Sequence, residues 1–295
     1  MVSNVLVVGA SGYIGTNLVE YLLAQGRAVR ATARNIEVLE GRDWHGVELC
    51  AADALDPGTL EPALKGIVTA YYLLHSMAAG KDFGRLDLQA AANFAAAAED
   101  AGVRRIVYLG GLVPDDADSE HIRSRRDTGA VLRQGSVPVT ELRAGIIVGP
   151  GSAAFEVMRD LVYHLPVMLT PRWVRSRSTP IALDNLLRYL SEVAGFDETA
   201  GEVYDVGGTD VLTYAEIMRR YGKLVDRKPL IIPVPVLTPR LSSYWLRLVT
   251  TVPTNVARAL IDGLSQDVIA TDDRLANLIP QPLMGFDEAA REALA

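Results

Sequence analysis

The chain has 295 residues, 49% hydrophobic and 22% charged, a globular composition that excludes a disordered chain. Its 29 Lys and Arg against 36 Asp and Glu leave a net charge of −7, which argues against a nucleic-acid binder working through bulk charge. The one cysteine, Cys50, cannot close an internal disulfide and points to a reducing, cytoplasmic setting. No basic region precedes the first apolar run, and no apolar stretch approaches the roughly 18–20 residues of a membrane helix. A soluble protein without stable membrane insertion is expected, as monomer or homodimer.

Val5–Val8 is a run of apolar residues ending at Gly9, as a strand buried on both faces reads. A helix follows, with Ile14, Leu18 and Leu22 on one face and a stop at Gly26. Ala28–Ala33 and Val47–Ala51 read as the next strands. Asp56 and Pro57 form an N-cap and first-turn pair for a short helix through Lys65. Ile67–Leu74 is a fourth strand, and an alanine-rich helix runs from about Asp87 to Ala101. Arg105–Leu109 is a fifth strand, Ser119–Arg133 a helix, and Val139–Val148 contains a sixth strand. Strands alternating with helices predict right-handed crossovers and a doubly wound parallel α/β sheet.

After Gly149-Pro150-Gly151 the pattern changes, so residues 1–150 are read as one domain and 151–295 as a smaller, mainly helical lobe. That lobe holds a helix at Phe155–His164, a Pro/Arg/Trp-rich stretch at Pro166–Pro180 and a helix from Asp184. Glu202–Val206, within about 200–208, is expected to return a strand to the first sheet. Leu237–Val252, with Arg240, Trp245 and Arg247, is amphipathic. It reads as a helix packed in the lobe, or as one lying on a membrane or partner.

Gly9-Ala10-Ser11-Gly12-Tyr13-Ile14-Gly15 is G-x-x-G-x-x-G between a strand and a helix. Gly9 suits a tight turn, Gly12 lets backbone approach a pyrophosphate, and Gly15 lets helix and strand pack closely. The helix N-terminus adds free N–H groups and a favourable dipole. A site for NAD(H) would place an acid at the end of the second strand. Here that segment reads Val29-Arg30-Ala31-Thr32-Ala33-Arg34, with no acid before Glu37. Arg34 would pair with a 2′-phosphate, favouring NADP(H) over NAD(H), while Arg30 reads as a solvated strand residue. Asp53, beside Ala54, is a candidate for the adenine amino group or a turn cap.

The chain resembles the atypical and extended short-chain dehydrogenase/reductase superfamily, of the NmrA-like NAD(P)H-binding kind. The resemblance rests on Val7–Gly15, Asp53 with Asp56, Asn93 followed by Ala101–Leu109, Leu142–Gly145, Val148–Gly151, and Thr179–Ala182 before Asp184. It implies a Rossmann domain holding NAD(P)H, with a small-molecule substrate between it and the C-terminal lobe. It also implies that Leu74, His75 and Ser76 line the cofactor; His75 otherwise simply ends a core strand.

Where the superfamily has a catalytic Ser or Thr after the fifth strand, this chain has Gly110-Gly111, placed on the cofactor and substrate sides respectively. Where it has Tyr-x-x-x-Lys, this chain has His121-Ile122-Arg123-Ser124-Arg125. The i, i+4 spacing keeps His121 and Arg125 on one helix face. His121 titrates near 6.5 in the ordinary case and suits general acid or base work, whereas Arg125 binds hydroxyls but stays charged. They are the candidate catalytic pair, or else solvated helix residues. Phe155, Trp173 and Arg177 are candidate substrate contacts, Trp173 and Arg177 sharing a face if their segment is extended; a plain surface strand is the alternative. No metal site is expected.

These readings favour an NADPH-dependent oxidoreductase passing hydride to a small organic substrate without the usual Tyr and Lys. The alternatives are a non-catalytic NADP(H)-responsive regulator or assembly factor, and an epimerase or isomerase.

Overall fold

The computed structural model describes residues 4–75, 83–114, 120–234 and 266–294, without the side chains of residues 4, 83, 120–122 and 172–173. Leu237–Val252 and Ser76 lie outside the described residues, as do the side chains of His121 and Trp173.

The first half follows the alternation of the sequence: β1 (Asn4–Val8), α1 (Tyr13–Ala24), β2 (Ala28–Ala33), α2 (Glu37–Glu40), β3 (Glu48–Ala51), α3 (Pro57–Leu64) and β4 (Thr69–Tyr72). Then come α4 (Phe83–Asp100), β5 (Arg105–Gly111), α5 (Glu120–Leu132) and β6 (Val139–Ala144). Asp56 caps α3 by accepting from the Gly58 amide at 3.2 Å, with Pro57 in the first turn. The short α2 was not legible as a helix. It places Glu37, the first acid after the glycine loop, in an exposed helical turn beyond β2.

The seven-stranded sheet has the order β11-β6-β5-β4-β1-β2-β3, with β11 (Val203–Val206) joining it from the second half of the chain. The β1–β2, β1–β4, β2–β3 and β4–β5 pairs are parallel, so this is a doubly wound, Rossmann-type α/β sheet. Buried polar groups anchor the returning segment. Arg105 on β5 donates to Thr140 and Thr199 at 3.0 and 2.8 Å, and Thr140 donates to the Thr199 carbonyl at 2.7 Å. The core on one side of the sheet joins Leu6, Val8, Leu60, Ile67, Tyr72, Phe94 and Ile106. Val5–Val8 are each at most 4% exposed, and such burial contributes about 1.5–3 kcal/mol per side chain.

The expected sixth strand, Val139–Val148, divides at Gly145. Its second part, β7 (Ile147–Val148), leaves the sheet to pair with β10 (Ile181–Ala182). The backbone passes close to Ser178 there: a Cβ on Gly145 would lie 3.0 Å from the Ser178 hydroxyl. The remaining elements are α6 (Ala153–His164), β8 (Val167–Thr170), β9 (Arg177–Ser178), α7 (Leu183–Val193), β12 (Leu212–Thr213), α8 (Tyr214–Leu224), β13 (Leu230–Pro233), α9 (Arg274–Leu278) and α10 (Phe286–Glu292).

The chain divides into two compact units, residues 1–111, 124–143 and 187–204 in one, and 112–123, 144–186 and 205–295 in the other. The sequence reading drew one cut after residue 150, whereas these units each gather three segments. The first holds the main sheet. The second has its own core of Phe155, Met158, Leu161, Ile217, Tyr221 and Phe286. Among the described residues no helix is long and apolar enough to cross a membrane.

Candidate functional site

The strand order reverses direction between β1 and β4, and in an open parallel sheet ligands bind outside the carboxyl ends of the strands at that switch point. Gly9, with φ +86°, turns the chain out of β1, and a Cβ on it would lie 3.0 Å from the Leu73 carbonyl oxygen. Ala10 donates to the Thr32 carbonyl at 3.1 Å, tying the loop to the end of β2. Gly12 is the N-cap of α1, extended at φ −80° and ψ 167°, with no side chain capping the helix and no acid in its first turn. Ser11 and Gly12 are exposed, while Tyr13 and Ile14 are half-buried. Helix geometry leaves the first-turn amides without intrahelical partners, so they and the dipole favour an anion here. Gly15 has a packing role, since a Cβ there would fall 2.2 Å from the Gly9 carbonyl oxygen and 2.8 Å from the Ala10 Cα. The loop fits a dinucleotide pyrophosphate: Gly12 leaves open the space a Cβ would fill.

Arg34 is exposed just beyond β2 and has no hydrogen-bond or ion-pair partner among the described residues. Arg30, on the same strand, differs from expectation. Its guanidinium donates to the carbonyls of Ala63 and Lys65 at 2.7 and 2.9 Å and pairs with Glu48 at 2.9 Å. It is a C-terminal cap of α3, a position where a cation also meets the negative end of the helix dipole. Asp53 accepts from the Leu55 amide at 3.0 Å through Oδ1, the turn-capping arrangement. Ala54 is buried, and its carbonyl accepts from Asn93 of α4 at 2.9 Å, which fixes the loop after β3 against that helix.

Past β4 the Leu73 amide extends the ladder by donating to the Val8 carbonyl at 3.0 Å, and half-buried Leu74 and His75 follow. His75 Nδ1 lies 3.0 Å from Oδ2 of Asp87, whose side chain is 5% exposed. Ser124 of α5, also buried, donates to the same oxygen at 3.2 Å. Burial lowers the His75 pKa below its ordinary value, the hydrogen bond to Asp87 raises it, and the Arg125 charge lowers it again. Arg125 is committed to the sheet. Its guanidinium donates to the Leu109 carbonyl and lies 5.7 Å from the centre of the Tyr108 ring, whose hydroxyl donates to the Arg125 carbonyl at 2.9 Å. His121 starts one turn earlier on α5, its side chain outside the described residues.

Gly110 and Gly111 end β5. A Cβ on Gly110 would lie 2.8 Å from Oε1 of Glu141, a carboxylate held in the interior by Arg133 and, at 2.8 Å, Arg143. Gly129 makes room for the same carboxylate. Gly110 is therefore a packing requirement.

In the second unit, Phe155 is 1% exposed and meets the Tyr221 ring edge-on at 5.4 Å, so the structure places it in the core. Arg172–Arg175 form a 3₁₀ turn, so Trp173 does not share an extended face with Arg177. Arg177 pairs with Asp267 at 2.7 Å and donates its backbone amide to the same carboxylate at 2.7 Å. Its charge is already matched by Asp267, whose pKa is held below the ordinary range first by the Arg177 backbone amide and then by the Arg177 side chain. Asp87, Ser124 and Glu141 were missed from the sequence. For Asp87 a signal existed: it shares the apolar face of α4 with Ala91, Phe94 and Ala98 at helical spacing.

The NAD(P)H-binding family model matches residues 9–143, so this part of the chain carries an NAD(P)H-binding domain. A (4-alkanoyl-5-oxo-2,5-dihydrofuran-3-yl)methyl phosphate reductase of Streptomyces griseus subsp. griseus is 27% identical over 99% of this chain and 99% of its own. Cinnamoyl-CoA reductase 1 of Oryza sativa subsp. japonica is 32% identical over 43% of this chain, and the match spans only 38% of that relative. The fold is similar to that of a Citrobacter sp. triphenylmethane reductase complexed with NADP(H), with a TM-score of 0.78, 20% identity, and 98% and 99% of the two chains covered.

Proposed function

We propose that the protein is an NADPH-dependent oxidoreductase of the atypical short-chain dehydrogenase/reductase kind, acting on a small, already polarised organic acceptor such as a conjugated alkene or an iminium. The observation that carries this reading is the open glycine loop at the β1–β4 switch point, with an exposed Arg34 and no acid at the end of β2. The full-length similarity to a reductase named for an oxo-dihydrofuran supports it.

A bound reduced nicotinamide would supply a hydride. The chain's own residues would hold it: Gly9, Ser11, Gly12 and the first-turn amides through Gly15 at the pyrophosphate, Arg34 at the 2′-phosphate, Asp53 and Ala54 at the adenine. Leu74, His75, Gly110 and Gly111 would border the nicotinamide half. The Arg125 guanidinium has no acceptor atom and is engaged by the Leu109 carbonyl, so it orients rather than relays. The absent Tyr matters least for an acceptor whose carbon is already electron-poor. The free Cys50 thiol fits a reducing, cytoplasmic setting.

Calorimetric titration of NADPH and NADH tests the cofactor assignment. One charge-assisted contact contributes about 1.5–3 kcal/mol, so NADPH should bind roughly 10- to 150-fold more tightly. Arg34→Ser should remove that difference and leave NADH affinity nearly unchanged. Equal affinities in the native protein would refute the assignment.

The second reading, a cofactor-responsive regulator or assembly factor, is favoured by Gly110-Gly111, which carry no hydroxyl, and by the packing of Gly110 against Glu141. It expects NADPH binding without oxidation by any acceptor in a panel of ketones, enones and imines.

A further inference from the structure

Asp87 is an acid in the apolar stripe of α4, whose other positions are alanine or phenylalanine: Ala90, Ala91, Phe94, Ala95 and Ala98 are at most 6% exposed. A buried carboxylate is costly unless it is paired and hydrogen-bonded. Here its Oδ2 receives Ser124 of α5 and lies 3.0 Å from Nδ1 of His75. A carboxylate only accepts, so the ring hydrogen sits on Nδ1 and the nitrogen that exchanges protons is Nε2. His75 itself stands two residues past the last ladder bond of β4, at the carboxyl edge of the strand that borders the switch point. The imidazole is thus oriented by a buried partner at the edge of the sheet where the ligand crevice forms.

We propose that His75 transfers a proton at Nε2 during the reduction, with Asp87 as the residue that positions its ring and Ser124 holding Asp87. The proposal rests on the reductase reading above. With an α,β-unsaturated ketone, the β-carbon takes the hydride and the π electrons move to the carbonyl oxygen. That oxygen takes the proton from imidazolium Nε2, and the resulting enol tautomerises to the saturated ketone. Acceptor, NADPH and one proton become saturated ketone and NADP⁺, and solvent returns the proton to the ring.

Two acceptors separate proton transfer from hydride transfer. The enone 2-cyclohexenone needs a hydride and a proton. Malachite green, a triarylmethyl cation, is quenched by a hydride alone. In His75→Gln the enone-to-dye ratio of turnover should fall by ~10²–10⁴, the range for one acid–base group.

The titratable groups facing the pair are Arg125 of α5 towards His75, and Tyr72 of β4 and Tyr108 of β5 towards Asp87. Because the protonated ring is the reactive form, enone turnover should fall as pH rises through the His75 pKa, below the ordinary 6.5. Asp87→Asn removes the charge that raises that pKa and should move this limb to lower pH. Dye turnover should lack the limb in both proteins.

A readout independent of turnover comes from the imidazole ¹⁵N resonances of the full chain, which has 4 histidines. The signal lost in His75→Gln should show the Nδ1–H neutral tautomer at pH 7 and should shift when NADP⁺ is added. An Nε2–H tautomer, or a signal that NADP⁺ leaves in place, overturns the proposal. So does an unchanged ratio in His75→Gln, an equal loss on both acceptors, or a loss found only in His121→Ala. If the native protein oxidises NADPH with neither acceptor nor any other in a broad panel, the reductase reading falls and takes this one with it.

Discussion

Replacing Gly15 by alanine and, separately, Gly12 by alanine should separate two roles that one glycine motif combines. In Gly15→Ala the new Cβ would sit 2.2 Å from the Gly9 carbonyl oxygen and 2.8 Å from the Ala10 Cα, both backbone atoms. The loop cannot yield easily, because the Gly9 carbonyl accepts from the Gly12 amide at 3.0 Å and the Ala10 carbonyl from Thr16 Oγ1 at 3.0 Å. Overpacking of this severity costs about 3 kcal/mol, and alanine returns about 1 kcal/mol of helix propensity. A net loss of about 2 kcal/mol should lower the melting temperature by roughly 4–8 °C with no cofactor present.

In Gly12→Ala the new Cβ meets only the Gly9 oxygen, at 3.3 Å. The cofactor-free variant should therefore lose at most about 1 kcal/mol, the usual alanine penalty at an N-cap. What it should lose is the cofactor. At a concentration of about 100 times its Kd, NADPH stabilises the native protein by about 2.7 kcal/mol, and that gain should vanish. Scanning calorimetry with and without NADPH reads both effects. A Gly15→Ala protein as stable as the native one, or a Gly12→Ala protein with the full NADPH-induced shift, would refute the assignment of the two glycines.

Gly129→Ala should destabilise the protein by about 1–3 kcal/mol in urea unfolding, because its Cβ would fall 2.5 Å from Oε2 of Glu141, which two arginines hold in place. An unchanged urea midpoint would show that Glu141 moves freely. At the start of α8, Thr213 and Glu216 form a reciprocal capping box, and the bonds from Thr213 hold the Glu216 pKa below its ordinary 4.5. A carboxylate depressed on folding stabilises above its unfolded pKa, and that contribution fades as pH falls through the folded value. Thr213→Ala should cost about 1 kcal/mol at pH 7 and progressively less below pH ~4.5, a deficit that chemical denaturation at both pH values measures.

Local and periodic features of the sequence were enough for the architecture. Apolar runs such as Val5–Val8 are interpretable without partners because a strand buried on both faces has few other ways to be stable. The glycine spacing and the Asp56-Pro57 helix start were readable for the same reason: each follows from backbone geometry or the period of a single element. Shape alone also made Gly9 and Gly15 legible, one through its positive φ and the other through a close approach.

Side-chain partnerships across the fold were beyond that reading. Arg30 and Arg34 look alike on their strand, yet one caps α3 and the other has no partner among the described residues; only the packing of α3 beside β2 tells them apart. Arg177 met Asp267, Gly110 met Glu141, and Phe155 met Tyr221, each across a long stretch of chain. The His75–Asp87–Ser124 group is the clearest instance, built from the end of a strand and two separate helices. The sequence by itself determined which elements form and where the glycine loop opens, because those depend on interactions within a few residues. Only the tertiary structure decided which charges are engaged and which carboxylate orients a histidine, because a hydrogen bond between distant segments exists only once the sheet has brought them together.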